Sequence, residues 1–151
     1  MKPPRILIVE ARFYDHIADG LLRGAVATLA EAGADHRRLT VPGILELPAA
    51  VRYVLDAAAA GGETYGGFVA LGCAIRGETD HYHHVCREAM SGLQHLALAH
   101  SLAIGNGILA VHDEAQALAR SEPERRNMGG QAARACLRMI AIKQELALVD
   151  R

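Results

Sequence analysis

The sequence predicts an α/β fold, a three-layer sandwich in which helices cover both faces of a parallel sheet. Two observations carry this. Apolar runs of strand length alternate with longer stretches of helical period, the order expected of βαβ units. Hydrophobic residues make up 51% of the 151 positions and aromatic residues only 4%, with alanine prominent, which suits helices packed closely on a sheet better than two sheets packed on each other. No repeat or low-complexity linker interrupts the order, so one domain spanning residues 1–151 is expected.

Each element follows from local pattern. Arg5 to Ala11 is a continuous apolar run, fit for a strand covered on both faces. A helix opens at Tyr14 or Asp15 and carries Ile17, Leu21, Leu22, Ala25, Val26 and Leu29 three or four apart, stopping at Ala32-Gly33. His36 to Val41 is the second strand, broken by Pro42-Gly43. After Glu46-Leu47-Pro48 a second helix carries Val51, Val54, Leu55 and Ala58 before Gly61-Gly62. Phe68 to Ile75 is the third strand. Thr79 or Asp80 caps a third helix that runs towards Leu102, and Ala103 to Val111 is the fourth strand. Helices over Glu114 to Ser121 and Gly129 to Leu148 complete the chain.

Composition narrows the function classes. The formal net charge is −1 and the basic residues are scattered, apart from the pairs Arg37-Arg38 and Arg125-Arg126, so no footprint for nucleic acid is present. The start, MKPPRILIVEARF, has too short an apolar run for a signal peptide or a membrane span, and a cytoplasmic protein with no membrane partner is expected. Three cysteines, Cys73, Cys86 and Cys136, lack CxxC spacing and read as small buried hydrophobes.

Chemistry is expected at the carboxyl ends of the strands, where open α/β sheets bind ligands. Every unusual local sequence lies there: Ala11-Arg12-Phe13-Tyr14, Val41-Pro42-Gly43-Ile44-Leu45-Glu46, Ile75-Arg76-Gly77-Glu78-Thr79-Asp80-His81 and Val111-His112-Asp113. Taken singly, each has a plain structural explanation as a turn, a helix charge or a helix cover. The Gly77-Glu78-Thr79 segment leads into a helix start, whose backbone N–H groups and dipole suit a phosphate. His81 falls in the first helical turn beyond it, where an imidazole can shuttle protons near neutral pH. His81 and His84 share a helix face while His83 and Cys86 point elsewhere, so the four do not converge on a metal ion, and none is expected. No GxGxxG, P-loop or GxSxG occurs, which argues against dinucleotide and nucleotide enzymes of the usual kinds and against a serine hydrolase.

The blocks Ala11-Arg12-Phe13, Val41 to Pro48 and Leu71 to Tyr82 together resemble the 6,7-dimethyl-8-ribityllumazine synthase family, as do Gly107-Ile108-Leu109, Gln116-Ala117 and Asn127-Met128-Gly129-Gly130. The likeness covers nearly the whole chain, and its specificity lies in the order and spacing of the blocks. It implies a flavodoxin-like, four-stranded parallel sheet and the penultimate step of riboflavin synthesis, a transferase reaction. In it 5-amino-6-(D-ribitylamino)uracil condenses with 3,4-dihydroxy-2-butanone 4-phosphate without metal or organic cofactor. By resemblance, Phe13 stacks on the pyrimidine, and Ile44, Leu45 and Glu46 with Cys73, Ala74 and Ile75 hold the ribitylaminouracil. Gly77, Glu78 and Thr79 meet the phosphate, His81 transfers protons, and Arg120 reaches the phosphate from a neighbouring subunit. Asn106 stands where the family usually has phenylalanine, on the side of the site shared between subunits, and Met128 where it usually has lysine.

The resemblance also implies a homopentamer with active sites shared between adjacent subunits. Some members build decamers or sixty-subunit shells, and shell formers add an N-terminal segment to a neighbour's sheet. Here only Met1-Lys2-Pro3-Pro4 precedes the first strand, and proline cannot donate a ladder hydrogen bond, so a pentamer or a decamer is expected. Two other readings stay open at this point. A non-catalytic paralogue carrying flavin or lumazine would keep Phe13 and Ile44 to Glu46 with less need of His81 and Arg120. An unrelated phosphosugar enzyme of the same fold class would need the Gly77 loop but not the uracil-facing blocks.

Overall fold

A computed structural model describes residues 4–148. Strands β1 (Arg5–Ala11), β2 (Asp35–Val41), β3 (Gly67–Ile75) and β4 (Ile104–Val111) form one sheet in the order β2-β1-β3-β4, with every pairing parallel. Helices α1 (Asp15–Glu31), α4 (Glu114–Ser121) and α5 (Met128–Glu145) cover one face, and α2 (Leu47–Ala59) and α3 (His81–His100) the other. This is the expected three-layer, flavodoxin-like α/β arrangement. The alternation of the strands sorts side chains between two cores. Ile6, Ile8, Val69, Leu71, Leu109 and Val111 pack under α1 and α5. Leu7, Val9, Phe68, Ala70 and Ile108 pack under α2 and α3. Full burial of one such side chain is worth about 1.5–3 kcal/mol.

The central strands β1 and β3 carry the unbroken apolar runs, whereas the edge strand β2 is exposed from Asp35 through Thr40. Polar residues on an edge discourage pairing with a stray strand. The order has a functional consequence. From β1 the chain builds outward to β2 on one side and to β3 and β4 on the other. The carboxyl ends of β1 and β3 therefore flank the switch point where such sheets open a crevice.

Element boundaries match the expected ones closely, with exceptions that have a local cause. The third helix stops at His100, short of Leu102, because Ser101 turns left-handed at φ 53°. The last helix stops at Glu145 rather than Leu148, and Ala147 is likewise left-handed at φ 60°. After Pro42-Gly43 the chain makes a 3-10 turn over Ile44–Glu46 before α2. Asn127 takes the left-handed conformation that asparagine tolerates, and its Oδ1 accepts from the Gly130 N–H at 3.2 Å to cap α5. Met1 to Pro3, on which the expectation against a shell partly rests, lie outside the described residues. Among the described residues no helix is long and apolar enough to cross a membrane.

Candidate active site

Loops at the carboxyl ends of β1, β2 and β3 meet over a cleft of about 260 Å³. Of the residues singled out in the sequence, Phe13, Ile44, Cys73, Ala74, Ile75 and His81 all line it. Phe13 projects from the short turn between β1 and α1 with 76% of its surface exposed, and its ring stands edge-on to that of Tyr14 at 5.0 Å. Ile44 is buried against Gly72, where an added Cβ would lie 2.5 Å from the Ile44 Cγ2. A glycine in mid-strand here lets the opposite wall of the cleft settle directly on the sheet.

Cys73 opens towards the cleft but is only 8% exposed. Burial, with the nearby Cys86 adding to it, pushes its thiol up to about 12. The group therefore stays protonated and presents a small apolar wall, without thiolate reactivity at neutral pH.

The loop after β3 joins two lining residues, Ile75 and His81, without itself lining the cleft. Gly77, Glu78, Thr79 and Asp80 are exposed, and Thr79 Oγ1 accepts from the His81 N–H at 3.3 Å, which sets the first turn of α3. The expected side-chain cap by Asp80 is not made. The N–H groups of Gly77, Glu78 and Thr79 find no acceptor among the described residues. Gly77 has no positive φ, and a Cβ there would meet nothing. Its lack of a side chain therefore answers no internal contact. Glycine in such a position leaves room for a ligand to approach the backbone.

The other expected residues lie elsewhere. Leu45 is half exposed outside the cleft lining, and Glu46 turns back so that its Oε1 accepts from the Gly43 N–H at 3.0 Å, closing the 3-10 turn like a capping box. Asn106 lines a separate cleft along the β4 edge with Leu93, Leu98 and Met139, and its Oδ1 accepts from the Ile108 N–H at 2.9 Å. Arg120, on α4, donates to the Gln116 carbonyl at 3.3 Å and does not line the Phe13 cleft. His83 and His84 are exposed with rings edge-on to each other, Cys86 is buried in the core, and among the described residues no group of three or more metal-ligating side chains comes together.

Sequence reasoning missed several features. Tyr14, Gly43 and Tyr82, which the quoted blocks contained without a role, and Val85, which lay outside them, complete the cleft lining. Glu10, 1% exposed at the end of β1, holds Arg12 Nη1 at 2.7 Å and Arg38 Nε at 2.6 Å. Arg12 also donates to Asp15 and to Asp19. Burial works against the Arg12 charge, but hydrogen bonds to Glu10 and Asp19 outweigh it and hold the guanidinium more firmly protonated than usual. One signal was available: a carboxylate inside the apolar run ILIVEA has to find a cation, because an unpaired buried charge is too costly to keep.

Comparison with known proteins agrees with this architecture. A family model described as 6,7-dimethyl-8-ribityllumazine synthase matches residues 3–144. A protein of that name from Paramagnetospirillum magneticum is 64% identical over 146 residues, covering 95% of this chain and 97% of the relative. One from Agrobacterium fabrum is 53% identical, covering 97% of this chain and 99% of the relative. From Rhodopseudomonas palustris, 6,7-dimethyl-8-ribityllumazine synthase 1 is 53% identical over 95% of this chain and 88% of its own length. The chain belongs to the 6,7-dimethyl-8-ribityllumazine synthase family.

Proposed function

We propose that this single-domain protein catalyses the condensation of 5-amino-6-(D-ribitylamino)uracil with 3,4-dihydroxy-2-butanone 4-phosphate to give 6,7-dimethyl-8-ribityllumazine and phosphate. The observation that carries the reading is the cleft in which an exposed Phe13 faces His81 across the apolar end of β3, beside the unfilled N–H groups of the Gly77 loop. The ring of Phe13 offers a stacking face for a flat pyrimidine. Cys73, Ala74, Ile75 and Ile44 close the space around the ribitylaminouracil, with Leu45 and Glu46 shaping the turn that holds Ile44. Gly77, Glu78 and Thr79 meet the phosphate at a helix start.

The chemistry moves protons at every step. The uracil 5-amino group attacks the butanone carbonyl, giving a carbinolamine that loses water to become an imine. Elimination then expels inorganic phosphate, and the ribitylamino nitrogen closes the second ring on the remaining carbonyl with loss of a second water. His81 serves repeatedly as acid and base, a role worth roughly a hundredfold to ten-thousandfold in rate. Because the amine is already a nucleophile, holding both substrates in register supplies much of the remaining acceleration. No metal or organic cofactor is assigned a role.

Arg120 and Asn106 act from a neighbouring subunit of a cytoplasmic homopentamer, with pairing of pentamers into a decamer as the next level. Support comes from their placement: neither lines the cleft of its own chain. A bidentate guanidinium is well suited to complete a phosphate site. The test is to mix purified protein with both substrates and follow the lumazine absorbance. Formation well above the spontaneous rate is expected; its absence would favour a non-catalytic carrier.

A further inference from the structure

We propose that Arg12 is a positioning residue for the reaction, clamping the turn that aims Phe13 into the cleft. The inference rests on the reading that Phe13 stacks on the pyrimidine. With 76% of its surface exposed, the Phe13 ring has little packing to set its direction beyond its edge-on contact with Tyr14. Its backbone must do so. That backbone is one residue from Arg12, whose planar fork spans the turn in both directions. Nη1 reaches back to Glu10 in β1 at 2.7 Å, while Nε reaches forward to the Asp15 carboxylate at 3.2 Å and Nη2 to the Asp15 carbonyl at 3.4 Å and to Asp19. A single rigid group thus ties the end of the strand to the first turns of α1, with Phe13 held between. A lysine has no fixed fork and does not span these partners together.

The clamp also joins the two walls of the cleft. The second oxygen of Glu10 takes Arg38 Nε of β2 at 2.6 Å, and β2 leads through Gly43 to Ile44 on the far wall. Glu10 is 1% exposed, and each of its carboxylate oxygens is taken by one of the two arginines. The mean position of the stacking ring relative to Ile44 is therefore set by one buried carboxylate shared between the turn after β1 and the middle of β2.

The experiment is a double-mutant cycle on the full-length protein, read as KM for 5-amino-6-(D-ribitylamino)uracil. Asp15→Ala with Asp19→Ala removes both side-chain acceptors of the forward half of the clamp at exposed positions, leaving only the Asp15 carbonyl, so this variant keeps its fold even where Arg12→Gln does not. We expect KM to rise about threefold in the aspartate variant, the scale of lost exposed charge pairs, and about tenfold in Arg12→Gln, the scale of a lost aromatic stack. In a Phe13→Ala background neither change raises KM further, because the ring being aimed is gone. A merely structural clamp would lower the thermal transition without this coupling. The proposal is overturned if KM is unchanged in the aspartate variant, if Phe13→Ala itself leaves KM unchanged, or if the increases persist undiminished beside Phe13→Ala. Wild-type turnover no faster than the spontaneous reaction would instead sink the catalytic reading. The same cycle, read by calorimetric binding of 6,7-dimethyl-8-ribityllumazine, then still decides the clamp.

Discussion

Two clefts among the described residues have equal volume, about 260 Å³ each, and of these two one gathers chemistry. The first sits at the switch point of the sheet, and loops from three strand ends bring it an exposed aromatic ring and an imidazole. The second runs along the β4 edge between α3 and α5, lined mainly by aliphatic side chains with Leu98 76% exposed, and the Asn106 Oδ1 is already engaged with the Ile108 backbone. Volume alone does not make a site; convergent polar groups do. The contrast also divides the expected residues. Phe13, Ile44, Cys73, Ala74, Ile75 and His81 share the first cleft, whereas Asn106 and Arg120, proposed above to act towards a neighbouring subunit, lie outside it.

The comparison breaks most visibly if the first cleft is not where the reaction runs. His81→Ala is expected to lower turnover by roughly a hundredfold to ten-thousandfold while the fold is kept, measured by lumazine formation at saturating substrates. Undiminished turnover would remove the imidazole from the mechanism. Next in size, Arg120→Ala is expected to raise KM for the butanone phosphate about tenfold to a hundredfold, the worth of charge-assisted hydrogen bonds. Dissociating and reassembling this variant with His81→Ala sharpens the point. If sites are shared between subunits, about a quarter of them in an equimolar random mixture regain both residues, and activity above either parent returns. No recovery would place both residues in one chain's site and erase the division drawn above.

Smaller is the expected effect of Gly72→Ala, where the new methyl group would press on Ile44 Cγ2 at 2.5 Å and on Ala11 Cβ at 3.3 Å. Overpacking of this kind costs about 1–3 kcal/mol, read as a lower thermal transition together with weaker pyrimidine binding. Unchanged binding would mean that Ile44 is not a wall that matters. The most gradual effect concerns pH. Cys73 at the cleft and Cys136 on the buried face of α5 both have thiols raised from 9.0 to about 12, chiefly by burial. The folded state therefore holds these protons more tightly than the unfolded chain. Their contribution to stability is fully present below pH 9 and is lost as pH rises towards 12. Thermal transitions measured across that window should fall, and replacing Cys136 by alanine should flatten the fall more than replacing the partly open Cys73.

Much of the fold was legible because its signals are local. The run Arg5 to Ala11 and the segment Glu114 to Ser121 form the elements expected of them, since an unbroken apolar stretch and a capped helical period are read within a few residues. Boundaries slipped where a single residue turns left-handed, as at Ser101, because serine at that position gives no advance sign of positive φ. The candidate site was legible as a set of strand-end blocks. Within the blocks, however, Glu46 is spent on closing its own turn, and nothing in its spacing separates that use from contact with a substrate.

By itself the sequence determined the elements, their α/β order and the chemical character of each strand end, because periodicity, capping and turn chemistry act over neighbouring residues. Tertiary structure decided which ends meet. Placing β1 between β2 and β3 brings Phe13, Ile44 and His81 around one cleft and leaves Asn106 on another edge. The same sheet order pairs Glu10 with Arg38, 28 residues away, and so builds the clamp at Arg12. A buried carboxylate requires a cation, but only strand order says which one arrives.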